Sequence, residues 1–112
     1  MSHRTARVGE RIQAELARLI RDEVRDPRVG FVTVTGVEVS GDLRHAKVFI
    51  SVLENAEESV KALERAAPFL RRALAQSAGL KHTPSLRFME DTSLVKAQRV
   101  EDLLDEWSDD PE

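Results

Sequence analysis

The chain of 112 residues contains no cysteine, which excludes disulfides, thiolate zinc sites and a cysteine nucleophile, and fits a reducing compartment. No stretch approaches the about 20 consecutive apolar residues needed to cross a bilayer. Met1-Ser2-His3-Arg4 leads into an amphipathic pattern with no secretory apolar core behind it, so a cytosolic protein without a membrane part is expected. His3, His45 and His82 are scattered, and no pair has the spacing of a helical metal site. Glycines 9, 30, 36, 41 and 79 form neither a P-loop nor a dinucleotide fingerprint. Glu90 and Asp91 are adjacent carboxylates, but consecutive strand residues point to opposite faces. No catalytic residue, metal or cofactor is expected, and the chain reads as non-enzymatic.

Aromatic residues are scarce, with four Phe and one Trp. Phe31, Phe49, Phe69 and Phe88 fall in elements where core packing is their simplest use. Phe49 is the exception, because it shares a strand face with Lys47. The scarcity argues against an aromatic platform for nucleic acid and towards recognition of backbone or shape.

What is present is enough for one domain, since a chain of this length buries about two thirds of the surface it exposes when unfolded. The formal net charge is −3, but it is unevenly placed. Seven of the 20 acids lie from Glu101 to Glu112 with no lysine or arginine among them. Residues 1–100 hold all 17 basic residues against 13 acids, a balance of +4. A mildly basic body with an acidic tail is compatible with RNA without demanding it.

From about Thr5 to Arg25, Val8, Ile12, Leu16, Leu19, Ile20 and Val24 recur at helical steps on an arc of roughly 160°. Asp26-Pro27 ends that helix, because the residue before proline is pushed out of the α region. The β-branched run from Phe31 to Thr35 predicts a strand. Gly36 predicts a bulge, since Val37 and Val39 can join Val32 and Val34 on one face only if an extra residue is inserted. Ser40 to Arg44 supplies a turn, and Ala46, Val48, Ile50 and Val52 alternate with Lys47, Phe49 and Ser51 in a second strand. Asn55 with Glu58 three residues on predicts a capped helix to about Ala66. Pro68 predicts the start of a separate helix over Phe69–Ala78, closed by Gly79. Leu86 to Glu90 is a short strand. Val100, Leu103, Leu104 and Trp107 mark a terminal amphipathic helix, and residues 108–112 an acidic disordered tail. The order is α-β-β-α-α-β within one α+β domain spanning 1–107.

Two basic groups stand out. Arg4, Arg7, Arg11, Arg18, Arg21 and Arg25 share an arc of about 100° on the first helix. They are either a solvated face balanced by Glu10, Glu15 and Asp22, or a surface for phosphate or carboxylate, to which the guanidinium fork is suited. Arg65, Arg71, Arg72, Lys81, His82 and Arg87 surround the expected third helix, and only the fold can bring them together.

Asp26-Pro27-Arg28, Val32 to Ser40, Asp42-Leu43 and Ala46-Lys47-Val48 resemble the hallmark segment of the ribosome-binding factor A family. Phe69-Leu70-Arg71, Leu80-Lys81, Thr83-Pro84, Leu86-Arg87-Phe88, Asp91-Thr92-Ser93, Arg99-Val100 and Leu103-Leu104 continue the resemblance in the same order. It implies a type II KH topology in which an Ala-x-Gly kink replaces the GxxG loop, here at Ala66, Ala67 and Pro68. It implies binding to the 30S subunit and its 16S rRNA in late assembly, 5′-end processing and growth in the cold. A KH docking mode implies RNA contacts at Arg71, Arg72, Lys81, Arg65 and Arg87, while helical periodicity adds Arg4, Arg7 and Arg11. Release by an assembly GTPase is a family expectation, and a monomer is expected. Two other readings stand beside this one. The arginine face could bind an acidic protein, or the chain could be a small ferredoxin-like enzyme such as an acyl phosphatase, although that fold starts with a strand and this chain with a helix.

Overall fold

The computed structural model describes residues 3–24, 26, 29, 32–80 and 82–92. Phe31, Lys81, the helix expected over Val100–Trp107 and the acidic tail lie outside the described residues. The order is α1 (His3–Glu23), β1 (Val32–Val39), β2 (His45–Val52), α2 (Ala56–Ser77) and β3 (Ser85–Glu90). The sheet runs β1-β2-β3, with β1 antiparallel to β2 and β2 parallel to β3. A parallel pair needs a crossover, and α2 provides it. Both helices cover one face of the sheet, α1 over β1 and α2 over β3.

The apolar stripe of α1 reaches the core as its period predicts, with Ile12 and Leu16 fully buried and Leu19 and Ile20 nearly so. Opposite them Ala46, Val48 and Ile50 of β2, and Leu86 and Phe88 of β3, form the sheet's inner face. Gly9 sets how closely α1 approaches β1, because a Cβ there would lie 2.8 Å from the Val37 carbonyl oxygen. The expected bulge is present, since the register passes from Val34↔Ile50 to Gly36↔Phe49 with Thr35 as the extra residue. Gln13 Nε2 donates to the Val34 carbonyl at 3.2 Å beside this break. On the outer edge of β3 the Phe88 N–H is taken up by Glu64 Oε1 at 2.9 Å, which covers an otherwise open strand edge.

Two expectations need correction. The helices predicted on either side of Ala66-Ala67-Pro68 are one helix, Ala56–Ser77, with Pro68 inside it. Proline removes one backbone donor and crowds the carbonyl four residues back, that of Glu64. The helix persists because Leu63, Leu70 and Leu74 are all fully buried on its inner side, while Pro68 is exposed on the outer side. The second correction concerns Asn55, whose side chain makes no cap bond. It adopts the left-handed conformation at φ 58° and ψ 47°, which asparagine tolerates better than most residues, and its backbone carbonyl accepts the Ser59 N–H at 2.9 Å. At the other end the Ala78 N–H bonds Leu74, and Gly79 at φ +64° turns the chain away as expected.

Candidate nucleic-acid interface

The arginine face of α1 is divided. Arg18 pairs with Glu15 at 3.1 Å and Arg21 with Asp22 at 3.0 Å. The Glu15 carboxyl is held below its usual range by the Ser77 hydroxyl and then by Arg18. Asp22 is lowered by the bond from Arg21. Towards the N-terminus Arg4, Arg7 and Arg11 are exposed around a shallow depression that also includes Val8 and Glu10. None of these three guanidinium groups has an acidic partner among the described residues. Arg25 lies outside the described residues.

The group expected around the central helices also separates. Arg71 donates through Nε and Nη2 to the Thr83 carbonyl at 3.3 and 3.1 Å, fastening α2 to the segment before β3. It shares a cavity with Arg44, His45 and His82. Arg72, about 100° further round the helix, lines a groove with Arg18, Glu23 and Phe69 instead. Arg65 is exposed about 20° from Arg72 on the helical wheel, on the outward side. Arg87 lies on the face of the sheet opposite the two helices, directly across from Lys47.

His45 connects the two places, because it lines both the Arg71 cavity and a shallow groove with Lys47, Arg87 and Met89. Its Nδ1 is 3.0 Å from the Ser85 hydroxyl. Arg44, His45 and Lys47 are absent from the sequence-derived candidates. The partial signal for them is the helix between β2 and β3, which allows a parallel pair, and the observed register of that pair sets His45 opposite Ser85 and Lys47 opposite Arg87. Asp42, the acid nearest Arg44 in sequence, is engaged within its own turn. It accepts from the Ser40 hydroxyl at 2.6 Å and the Arg44 N–H at 3.0 Å, and both bonds hold its carboxyl below the usual range.

Among the described residues no group of three or more His, Asp or Glu is placed to hold a metal ion. No described helix is long and apolar enough to cross a membrane. What the exposed surface offers is guanidinium and ammonium groups spread over two regions, an arrangement suited to an extended polyanion.

The comparisons with known proteins agree on one relationship. The family model for ribosome-binding factor A matches residues 4–104. The ribosome-binding factor A of Alkalilimnicola ehrlichii is 50% identical over 107 residues, covering 92% of this chain and 82% of that protein. The crystal structure of ribosome-binding factor A from Thermus thermophilus superposes with a TM-score of 0.72 at 29% identity, covering 77% of this chain and 94% of that one. A homology model of the Thermus thermophilus factor, fitted into a cryo-EM map of its complex with the 30S particle, gives a TM-score of 0.67 at 28% identity and covers 83% and 97%. With a family match that spans most of its length and relatives that share half of its residues, this chain belongs to the ribosome-binding factor A family.

Proposed function

We propose that this protein is an assembly factor that binds the immature 30S subunit through its 16S rRNA and assists late maturation, including processing of the 5′ end. The observation that carries the reading is the pair of exposed cationic surfaces, Arg4-Arg7-Arg11 on α1 and Arg44-Lys47-Arg87 about the sheet, on a chain whose Thermus relative has been placed in a 30S complex. The mechanism is differential binding. The protein catalyses nothing itself in this reading and changes the course of processing by favouring one rRNA arrangement over another, and shifting such an equilibrium from 1:99 to 99:1 takes about 5.5 kcal/mol of differential affinity.

The same proposal includes a KH-like, type II topology, for which the mixed sheet and the helix-strand-strand-helix-strand order speak, with one continuous α2 where the resemblance implies two helices joined at a kink. It also includes a cytoplasmic monomer, release by an assembly GTPase and a role in growth in the cold. Depleting the protein in its host and mapping 16S rRNA 5′ ends by primer extension tests it. Precursor 5′ ends are expected to accumulate, more so at low temperature. An unchanged ratio of precursor to mature ends would contradict the processing role.

A further inference from the structure

The helices cover one face of the sheet, and the other face carries a pattern that packing does not explain. Reading across the strands, Glu38, Lys47 and Arg87 form one row, and Gly36, Phe49 and Met89 form the next. Lys47 and Arg87 are exposed, and neither makes an ion pair among the described residues, although Glu38 stands beside Lys47. Phe49 is half-buried on this outer face and takes no part in the core formed by Val48 and Ile50. On one side its cross-strand neighbour is Gly36, which brings no side chain to this face and where an added Cβ would meet nothing within 4 Å. Beyond the cationic row and past His45, Arg44 and Arg71 continue the positive surface.

We infer that the face of the sheet opposite α1 and α2 is a binding site for single-stranded RNA, with Phe49 as the stacking surface for a base and Lys47, Arg87 and Arg44 as the backbone contacts. This rests on the proposed rRNA-binding role and assigns it to a particular surface. Same-face residues on a strand are about 6.7 Å apart and neighbouring strands about 4.8 Å. Ring and cations are therefore close enough for one short strand to meet both. A duplex is rigid and keeps its bases paired, so it cannot lay an unpaired base on the ring. Stacking is also indifferent to base identity, so the site selects strand state before sequence.

The test uses the full chain, a fluorescein-labelled oligouridine and a duplex RNA of equal length, read by anisotropy, beside co-sedimentation of the same proteins with 30S particles. The single strand is expected to bind more tightly than the duplex. Phe49→Leu, which keeps apolar contact but removes the stacking face, is expected to weaken it about fivefold. Lys47→Ser with Arg87→Ser should make the slope of log affinity against log salt shallower by about 1.4. Variants that bind oligouridine as wild type does, or a duplex bound as tightly as the single strand, overturn the inference. So does a wild-type dimer that the Phe49 substitution abolishes, since a second copy would then be the occupant. Should a variant fail to fold, a 4-thiouridine cross-link on the wild-type protein decides. Adducts within 45–51 or 85–90 support the site, and adducts confined to α1 overturn it. Failure of the wild type to travel with 30S particles would count instead against the ribosomal reading, a separate result.

Discussion

Thr35 Oγ1 lies 2.5 Å from Asp91 Oδ2, a bond that joins the extra residue of the β1 bulge to the residue immediately after β3. The same hydroxyl is 3.3 Å from the Phe49 carbonyl, and the Asp91 N–H donates to Ile50 at 2.7 Å. The bulge thus turns a threonine out of the ladder and uses it to hold the exit of the last strand. In a double-mutant cycle, Thr35→Val and Asp91→Ala should show a coupling of about 0.5–1 kcal/mol in urea unfolding. Strict additivity would mean that the bond contributes nothing in solution.

Gly9 separates two opposed effects. Alanine is the better helix former by about 1 kcal/mol, yet its Cβ would lie 2.8 Å from a backbone oxygen of β1, and that oxygen is not the end of a flexible side chain. Overpacking of this kind costs about 1–3 kcal/mol. Gly9→Ala should therefore destabilise the protein, whereas Gly36→Ala, with open space around it, should be neutral or raise stability by up to about 1 kcal/mol. Equal denaturant midpoints for the two variants would contradict the close approach of α1 to β1.

Pro68 sits inside α2 on the exposed side, which fixes the sign of its substitution. Were it the first residue of a new helix, replacement would free the unfolded chain and lower stability. Inside the helix it withholds a donor from the Glu64 carbonyl, so Pro68→Ala should raise stability, by about 1–3 kcal/mol. A fall in the thermal midpoint would restore the two-helix reading of residues 56–78.

Much of the fold was legible because it depends on short-range pattern. The period of Ile12, Leu16, Leu19 and Ile20 marks one buried stripe, and Gly36 marks the bulge through a break in alternation. The continuous α2 was not legible, because local rules place proline at a helix start. The fully buried Leu63, Leu70 and Leu74 on both sides of it outweigh that preference. The site was legible only in part. Arg4, Arg7 and Arg11 follow from helical spacing alone, but Arg71 and Arg72 are neighbours in sequence that face different grooves. Lys47 and Arg87 are 40 positions apart and meet only through the parallel register.

The C-terminal residues 108–112 carry charge opposite to that of the cationic surfaces. Removing Ser108–Glu112 deletes Asp109, Asp110 and Glu112 and takes the formal net charge from −3 to 0. Non-specific RNA binding should tighten at low salt, and the difference should fade towards 1 M salt, where the Debye length falls to about 3 Å. The thermal midpoint should stay within a degree or so. A loss of several degrees would show that the segment is part of the folded domain.

The central claim is that exposed cations of this domain hold it on the 30S particle. The direct measurement is co-sedimentation with 30S particles across a salt series for three proteins: the wild type, Arg7→Glu with Arg11→Glu, and Arg71→Glu with Arg72→Glu. The wild type should travel with the particles at low salt and be released as salt rises. Both double variants should release at lower salt, and circular dichroism checks that each is folded, because Arg71 also fastens α2 to the Thr83 carbonyl. The Arg71/Arg72 variant should be the weaker, with a slope against log salt shallower by about 0.7 for each single-strand phosphate that it no longer neutralises. A wild-type protein that stays at the top of the gradient at low salt, or binding that neither variant changes, would contradict the account.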